Sequence, residues 1–150
     1  IGSASPCDVY YNFSSLKTFV ICYCPSIKQL FPHAVVGCLH NLNDMVIHGC
    51  VGMEEVIAVS EEDICADDLI LPKLRVLDLQ HLPELRSIWF KQVVCPSLQE
   101  VTLRDCLKLK RVPISLVLPD DAEPSRPSSL PRVRYHRLVR IAGLVTAFEL

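Results

Sequence analysis

Glycine is scarce in this sequence, with five residues among 150. Loops that cradle phosphate groups, such as G-x-x-x-x-G-K-[ST], depend on closely spaced glycines, and no such segment occurs. The G-x-S-x-G, H-E-x-x-H and protein-kinase signatures are absent as well. Because no nucleophile, base and orienting group converge in the sequence pattern, we expect no catalytic residues and a protein that is not an enzyme.

The sequence also lacks a large excess of one charge and long apolar runs. The formal net charge is -2, which gives no electrostatic reason to expect nucleic acid as a partner. No apolar stretch reaches the roughly 18 residues of a membrane-spanning helix, so we expect no membrane span. No signal peptide is visible at the start, which is Ile1 rather than Met. We therefore expect a piece of a longer protein.

Apolar residues are abundant and recur with one spacing. In four segments, six apolar or cysteine residues follow one another at steps of 3, 2, 3, 3 and 3. They are Leu16, Phe19, Ile21, Cys24, Ile27 and Leu30; Leu42, Met45, Ile47, Cys50, Met53 and Val56; Leu74, Leu77, Leu79, Leu82, Leu85 and Ile88; Leu98, Val101, Leu103, Cys106, Leu109 and Val112. A weaker fifth copy consists of Leu130, Val133, Tyr135, Leu138, Ile141 and Leu144.

This spacing has a direct structural meaning. A step of two places both side chains on one face of a short strand, and the steps of three indicate turns or a loose 3₁₀-like return. Each unit can bury its apolar side only against its neighbours. The sequence therefore predicts a leucine-rich-repeat horseshoe, an α/β-type solenoid with short parallel strands on the concave face and irregular, 3₁₀ or short-helix returns.

The repeats also predict the domain organisation. We expect a leucine-rich-repeat domain over residues 1–118, with units starting near residues 13, 39, 71 and 95. A Pro/Ser/Asp-rich loop follows at 119–129, and 130–150 form a divergent fifth repeat or a C-terminal tail. An earlier insertion carries seven acidic residues between Glu54 and Asp68. We interpret it as a solvated surface loop, with a contact for a basic partner as the alternative.

The eight cysteines do not require disulfide bonds. Cys24, Cys50 and Cys106 share one repeat position just after the strand, where the third unit has Leu82. A small buried apolar group suits that tight turn. The Cys22-x-Cys24 pair and the scattered histidines lack the spacing of zinc ligands, so we expect no metal site. These features favour a reducing, cytoplasmic setting.

The best candidate binding site is the concave face, because solenoids build extended concave binding surfaces. Its residues are those that lie between the core positions of each strand, and their charges are mixed. The predicted protein-binding residues are Lys17, Thr18, Asp44, His48, Arg75, Asp78, Gln80, Gln99, Glu100, Thr102 and Arg104.

Residues 13–115 carry more than a generic repeat. The pattern L-x-x-L-x-L-x-x-C-x-x-L, often with a proline afterwards, underlies FSSLKTFVICYCPSIKQLFP, CPSLQEVTLRDCLKLKRVP and LPKLRVLDLQHLPELRSIW, the last with Leu82 at the cysteine position. They resemble repeats of the plant cytoplasmic nucleotide-binding leucine-rich-repeat disease-resistance receptors of the coiled-coil class. The resemblance implies a parent protein with a switch domain that binds ADP or ATP. No nucleotide-binding residue of that domain falls in this sequence, so we expect no cofactor here.

The resemblance also implies a function. We expect a recognition and autoinhibition module of a plant intracellular immune receptor, acting in defence through protein–protein interaction. Its expected partners are the receptor's own nucleotide-binding domain and a pathogen effector or guarded host protein. The alternatives are a substrate-recruiting repeat domain of a ubiquitin-ligase adaptor and an extracellular receptor repeat with oxidised cysteines.

Overall fold

The computed structural model describes residues 11–61, 67–110, 114–115 and 132–136. The chain starts with a 3₁₀ helix over Tyr11–Ser15. The elements that follow are β1 (Thr18–Cys22), β2 (Gln29–Pro32), α1 (His33–Val36), β3 (Asp44–His48), β4 (Glu55–Ala58), β5 (Leu69–Ile70), β6 (Val76–Gln80), β7 (Val93–Val94), β8 (Glu100–Arg104), β9 (Ile114–Ser115) and β10 (Arg132–His136).

The main sheet has five parallel strands in the order β1-β3-β6-β8-β10. Equivalent residues of successive units pair without any offset. One line of register partners is Phe19, Met45, Leu77, Val101 and Val133, and a second is Ile21, Ile47, Leu79, Leu103 and Tyr135. These are the predicted strand cores, and the solenoid fold is confirmed. Leu130, Leu138, Ile141 and Leu144 of the fifth copy lie outside the described residues.

The returns between strands consist mainly of tight turns. After the strands, the amides of Met53, Leu85 and Leu109 each donate a hydrogen bond to the carbonyl three residues earlier, at 3.0–3.2 Å. The same type of bond occurs before the strands, where for example the Leu42 amide donates to the Leu39 carbonyl at 3.1 Å. The predicted steps of three are therefore turns. Short parallel pairs, β2 with β4 and β5 with β7 and β9, complete the returns.

The core is one continuous apolar cluster that runs through the stacked units. Ile47, Leu79 and Leu103 are fully buried, whereas Phe19 and Ile21 of the first unit are only half-buried. β1 lies at the end of the described sheet and has one neighbouring strand, β3. Within the described ranges the core holds no buried polar or charged residue. Stacking of apolar faces therefore stabilises the fold.

The acidic segment is not a solvated loop throughout, because Glu55 begins β4 and both Glu54 and Glu55 are half-buried. Glu54 forms an ion pair with Arg86 at 3.3 Å, and Glu55, the first residue of β4, accepts a hydrogen bond from Gln29 at 3.0 Å. At the other end, the Asp68 carboxylate accepts the Gln92 amide at 3.3 Å. The remaining acidic residues are exposed or lie outside the described residues. The predicted loop at 119–129 also lies outside the described residues.

Candidate protein-binding surface

The in-register strands arrange their outward-facing side chains in three parallel rows, because successive residues of a strand point to opposite faces. The first row contains Thr18, Asp44, Val76 and Glu100. The second row contains Val20, Val46, Asp78 and Thr102. The third row contains Cys22, His48, Gln80 and Arg104. All twelve side chains are exposed or half-buried, so they form one accessible surface, the outer face of the main sheet.

Eight of the eleven predicted binding residues lie in these rows, and Lys17, Arg75 and Gln99 each precede a strand. The backbone at those three positions links neighbouring units. The Lys17 carbonyl accepts the amides of Asn43 and Asp44 at 2.7 and 3.1 Å, and the Arg75 carbonyl accepts those of Gln99 and Glu100 at 2.8 and 3.0 Å. The Lys17, Arg75 and Gln99 side chains are exposed and border the first row.

A polar contact network centres on Asp78. Its Oδ1 lies 3.1 Å from His48 Nε2 on the adjacent strand and accepts a hydrogen bond from Gln80 Nε2 at 2.8 Å. The His48–Asp78 contact has ion-pair distance but not hydrogen-bond alignment, and Nε2 has no aligned partner elsewhere in the described residues. Both side chains are half-buried, at 29% and 22% exposure. Asp78 therefore contacts one side chain on the adjacent strand and one on its own strand.

The rest of the outer face combines polar and apolar groups. Thr18 Oγ1 donates a hydrogen bond to Asp44 Oδ2 at 3.3 Å in the first row. In the second row Val20 is 58% exposed and lies beside Val46. An apolar area in the first two units thus adjoins charged residues in the next two. Such a mixture suits a protein partner better than a ligand of a single charge.

A left-handed residue directly follows the strand of each of the first four units. Tyr23, Gly49, His81 and Asp105 have φ angles of 55, 67, 53 and 51°. The amides of the first three donate to the last strand residue of the next unit at 2.8–2.9 Å. Sequence reasoning predicted a tight turn after each strand but not the left-handed conformation of these residues, which side chains other than glycine adopt infrequently.

The charged side chains near these turns contact residues of neighbouring units. Asp78 and His81 are close in sequence, and so are Arg104 and Asp105. The structure pairs Asp78 with His48 instead, and His81 Nδ1 lies 2.8 Å from Asp105 Oδ2. Both contacts join neighbouring units. The ion pairs of the surface thus follow the stacking of repeats rather than proximity along the chain.

The repeated cysteines occupy the position that the spacing predicts. The thiols of Cys24, Cys50 and Cys106 each donate to the carbonyl two residues earlier, with sulfur–oxygen distances of 3.5, 3.7 and 3.4 Å. Burial raises the pKa of the Cys106 thiol to about 11. The six cysteines of the described residues are free thiols. This position thus closes each turn from inside the solenoid.

Neither a metal centre nor a membrane segment occurs in the part of the chain that the structure describes. No group of three or more His, Cys, Asp or Glu residues there could hold a metal ion. No helix within residues 11–61, 67–110, 114–115 and 132–136 has the length and apolar character needed to cross a membrane.

The parallel-stranded solenoid together with the repeated L-x-x-L-x-L spacing places this chain in the class of leucine-rich-repeat proteins. Residues 5–118 match the family model described as "Plant disease resistance protein RPS2-like, leucine-rich repeats", and the chain belongs to this family.

Curated relatives agree with the family match. The probable disease resistance protein At4g27220 of Arabidopsis thaliana is 37% identical over 105 residues, which are 68% of this chain and 11% of that protein. The putative disease resistance protein At4g10780 of the same plant is 28% identical over 120 residues, 73% of this chain and 12% of that protein. The chain thus spans about a tenth of the length of these relatives. No solved structure matches the sequence.

Proposed function

We propose that this chain is the recognition and autoinhibition module of a plant intracellular immune receptor. It acts in the cytoplasm by binding proteins and not by catalysis. The observation that carries the proposal is the outer face of the main sheet, where three in-register rows hold exposed or half-buried residues on a frame of backbone hydrogen bonds. A rigid frame lowers the entropy lost when a partner binds.

The proposed partners are of two kinds. In the resting receptor, the outer face contacts the receptor's own nucleotide-binding domain, which would hold ADP or ATP outside this chain. During defence it contacts a pathogen effector or a guarded host protein. Membership of a disease-resistance family supports this role over that of a ubiquitin-ligase adaptor. The mixed charge of the face, with Asp44, Asp78 and Arg104 on neighbouring strands, supports a protein ligand.

The test uses the full-length receptor that contains this segment, expressed in leaf tissue. Asp44→Arg combined with Glu100→Arg reverses two charges of the first row. We expect either cell death without an effector, since restraint is lost, or loss of the effector-triggered response. Glu61→Arg is the control, since Glu61 is exposed and lies outside the main sheet.

Receptor abundance on an immunoblot separates lost binding from lost protein. If the double variant accumulates normally and retains both the quiet resting state and the effector response, the first row has no role in recognition. If the control variant behaves like the double variant, the effect is one of net charge and the proposed surface is wrong.

A further inference from the structure

The outer face of the main sheet carries an apolar strip that meets two carboxylates. Val20 on β1 is exposed, and its register partner Val46 on β3 is half-buried. The next residue of this row is Asp78 on β6, the register partner of Val46. Asp44 lies on β3 two residues before Val46, and therefore on the same face. We call Val20, Val46, Asp44 and Asp78 the docking patch.

Each carboxylate of the docking patch has one oxygen engaged within the chain. Thr18 Oγ1 donates a hydrogen bond to Asp44 Oδ2 at 3.3 Å. Gln80 Nε2 donates to Asp78 Oδ1 at 2.8 Å, and His48 Nε2 lies 3.1 Å from the same oxygen. No lysine or arginine among the described residues forms an ion pair with either carboxylate. Asp44 Oδ1 and Asp78 Oδ2 can therefore accept hydrogen bonds from a group outside the chain.

Acidic residues on the returns are paired differently. Glu54 forms an ion pair with Arg86 of the next unit, and Glu84 forms one with Lys108 of the unit that follows its own. These carboxylates are thus compensated by cations of the same chain. The carboxylates of the docking patch lie on the accessible sheet face without such a cation, so their negative charge acts on whatever covers that face.

We propose that the docking patch binds a protein segment in which an arginine or a lysine stands next to an apolar residue. The proposal rests on the recognition role proposed above and specifies the chemistry of the partner. The apolar side chain covers Val20 and Val46, and the cation lies between Asp44 and Asp78. A strand spacing of roughly 4.8 Å and a rise of roughly 6.6 Å over two residues separate these two positions by roughly 8 Å, so one cation between them reaches both carboxylates.

Charge complementarity favours a basic segment over an acidic one. On β1, β3 and β6 the first two rows hold two acidic residues, three valines and one threonine, and no lysine, arginine or histidine. Exposed basic residues border this area, since Lys17 and Arg75 precede strands and Arg104 ends β8. On β10, Arg132 and Arg134 take the next register positions of the two rows. A cation of the partner is thus attracted to the docking patch and repelled at its borders.

The experiment titrates the isotope-labelled 150-residue chain with N-acetyl-valyl-arginine amide and follows the backbone amide signals by NMR. We expect saturable shifts on β3 and β6 around Val46 and Asp78. The matched probes carry citrulline, which keeps the shape of arginine without its charge, or glutamate, and both should bind more weakly. Asp44→Asn and Asp78→Asn should each weaken binding of the arginine probe roughly threefold, as loss of one accessible ion pair does. Val46→Thr should weaken it by removing apolar contact.

The controls separate local contacts from net charge and folding. Glu61→Gln removes an exposed acidic residue outside the main sheet and should leave the dissociation constant unchanged. Circular dichroism melting shows whether each variant stays folded. Higher ionic strength gives a test without any variant, because it should weaken the arginine probe and not the citrulline probe.

Three results would overturn the proposal. They are the absence of saturable shifts on β3 and β6, equal affinity for the arginine and citrulline probes, and wild-type affinity in both aspartate variants. Tighter binding of the glutamate probe would also overturn it but would leave the recognition role of the outer face intact. Conversely, binding of the arginine probe together with an unchanged receptor in the leaf test would contradict the recognition role alone.

Discussion

The ring of Tyr23 lies over the backbone of Gly49, so closely that a Cβ atom added at Gly49 would be 2.6 Å from Cδ1 of Tyr23. Gly49 also has a φ angle of 67°, in the left-handed region that side chains disfavour. Both residues directly follow a strand, and Tyr23 adopts the same left-handed conformation at 55°. The turn between the first two units thus depends on the absence of a side chain at Gly49.

Gly49→Ala should therefore destabilise the chain by at least about 1–2 kcal/mol, the usual cost of a left-handed alanine, because the clash with the Tyr23 ring adds to that cost. Chemical denaturation measures this loss. Adding Tyr23→Ala should recover only the steric part, since the backbone strain remains. Gly37→Ala is the control, because Gly37 has a φ angle of -61° and nothing within 4 Å of an added Cβ. Equal losses at Gly49 and Gly37 would show that the turn imposes no special requirement.

A charge placed in the strand core should unfold the stack. Leu103 is fully buried between the strands of neighbouring units. Leu103→Asp buries a carboxylate without a partner, which should cost about 4 kcal/mol or more. Leu79→Asp should act in the same way. The loss of the circular dichroism signal of the folded chain measures the effect.

The matched control for this prediction is Gln99→Asp, which adds the same charge in the same repeat. Gln99 is exposed and precedes β8, so its substitution should change stability by no more than about 0.5 kcal/mol. Folded Leu103→Asp protein with the stability of the wild type would contradict the register of the strand cores.

The strand cores could be predicted from the sequence because a period of two leaves only one set of residues facing inward. Phe19 and Ile21 illustrate this, since their register partners are the apolar pairs of the next unit. The left-handed conformations of Tyr23 and Asp105 could not be predicted from the sequence, because the stacking of units imposes them on residues that adopt them infrequently.

The contact between His48 and Asp78 illustrates a second limit of sequence reasoning. The two residues lie in different repeats, and an insertion separates them. Their proximity depends on how neighbouring strands align, which the apolar spacing predicts only for the core positions. The structure shows that the insertion leaves the register unchanged, since His48 pairs with Gln80 as Cys22 pairs with His48. The contact then follows from this register.

Trp89 carries a buried hydrogen-bond donor that is unsatisfied among the described residues. The side chain is fully buried and stacks on His33 at a centroid distance of 4.9 Å. Its Nε1 has no hydrogen-bond partner among the described residues. An unpaired buried donor costs about 1–3 kcal/mol. Trp89→Phe removes this cost along with some packing, so the net change should stay within about 1 kcal/mol of zero.

Trp89→Ala is the comparison, since it removes the ring and should cost about 3–5 kcal/mol. Urea denaturation of the two variants measures both values. A Trp89→Phe variant as unstable as Trp89→Ala would mean that the indole nitrogen has a stabilising partner after all.

Buried thiols should make the chain sensitive to alkaline pH. Burial raises the pKa of the Cys95 thiol from 9.0 to about 12. Below pH 9 the thiol is protonated in both the folded and the unfolded chain, so stability does not depend on this group. Between pH 9 and about 12 only the unfolded chain loses the proton, so the free energy of unfolding falls by about 1.4 kcal/mol per pH unit.

Cys95→Ala should remove that contribution, and Cys22→Ser, at an exposed position, should leave it intact. Urea denaturation at several pH values between 8 and about 11 measures these slopes, and the same slope in Cys95→Ala as in the wild type would show that the buried thiol does not cause the loss.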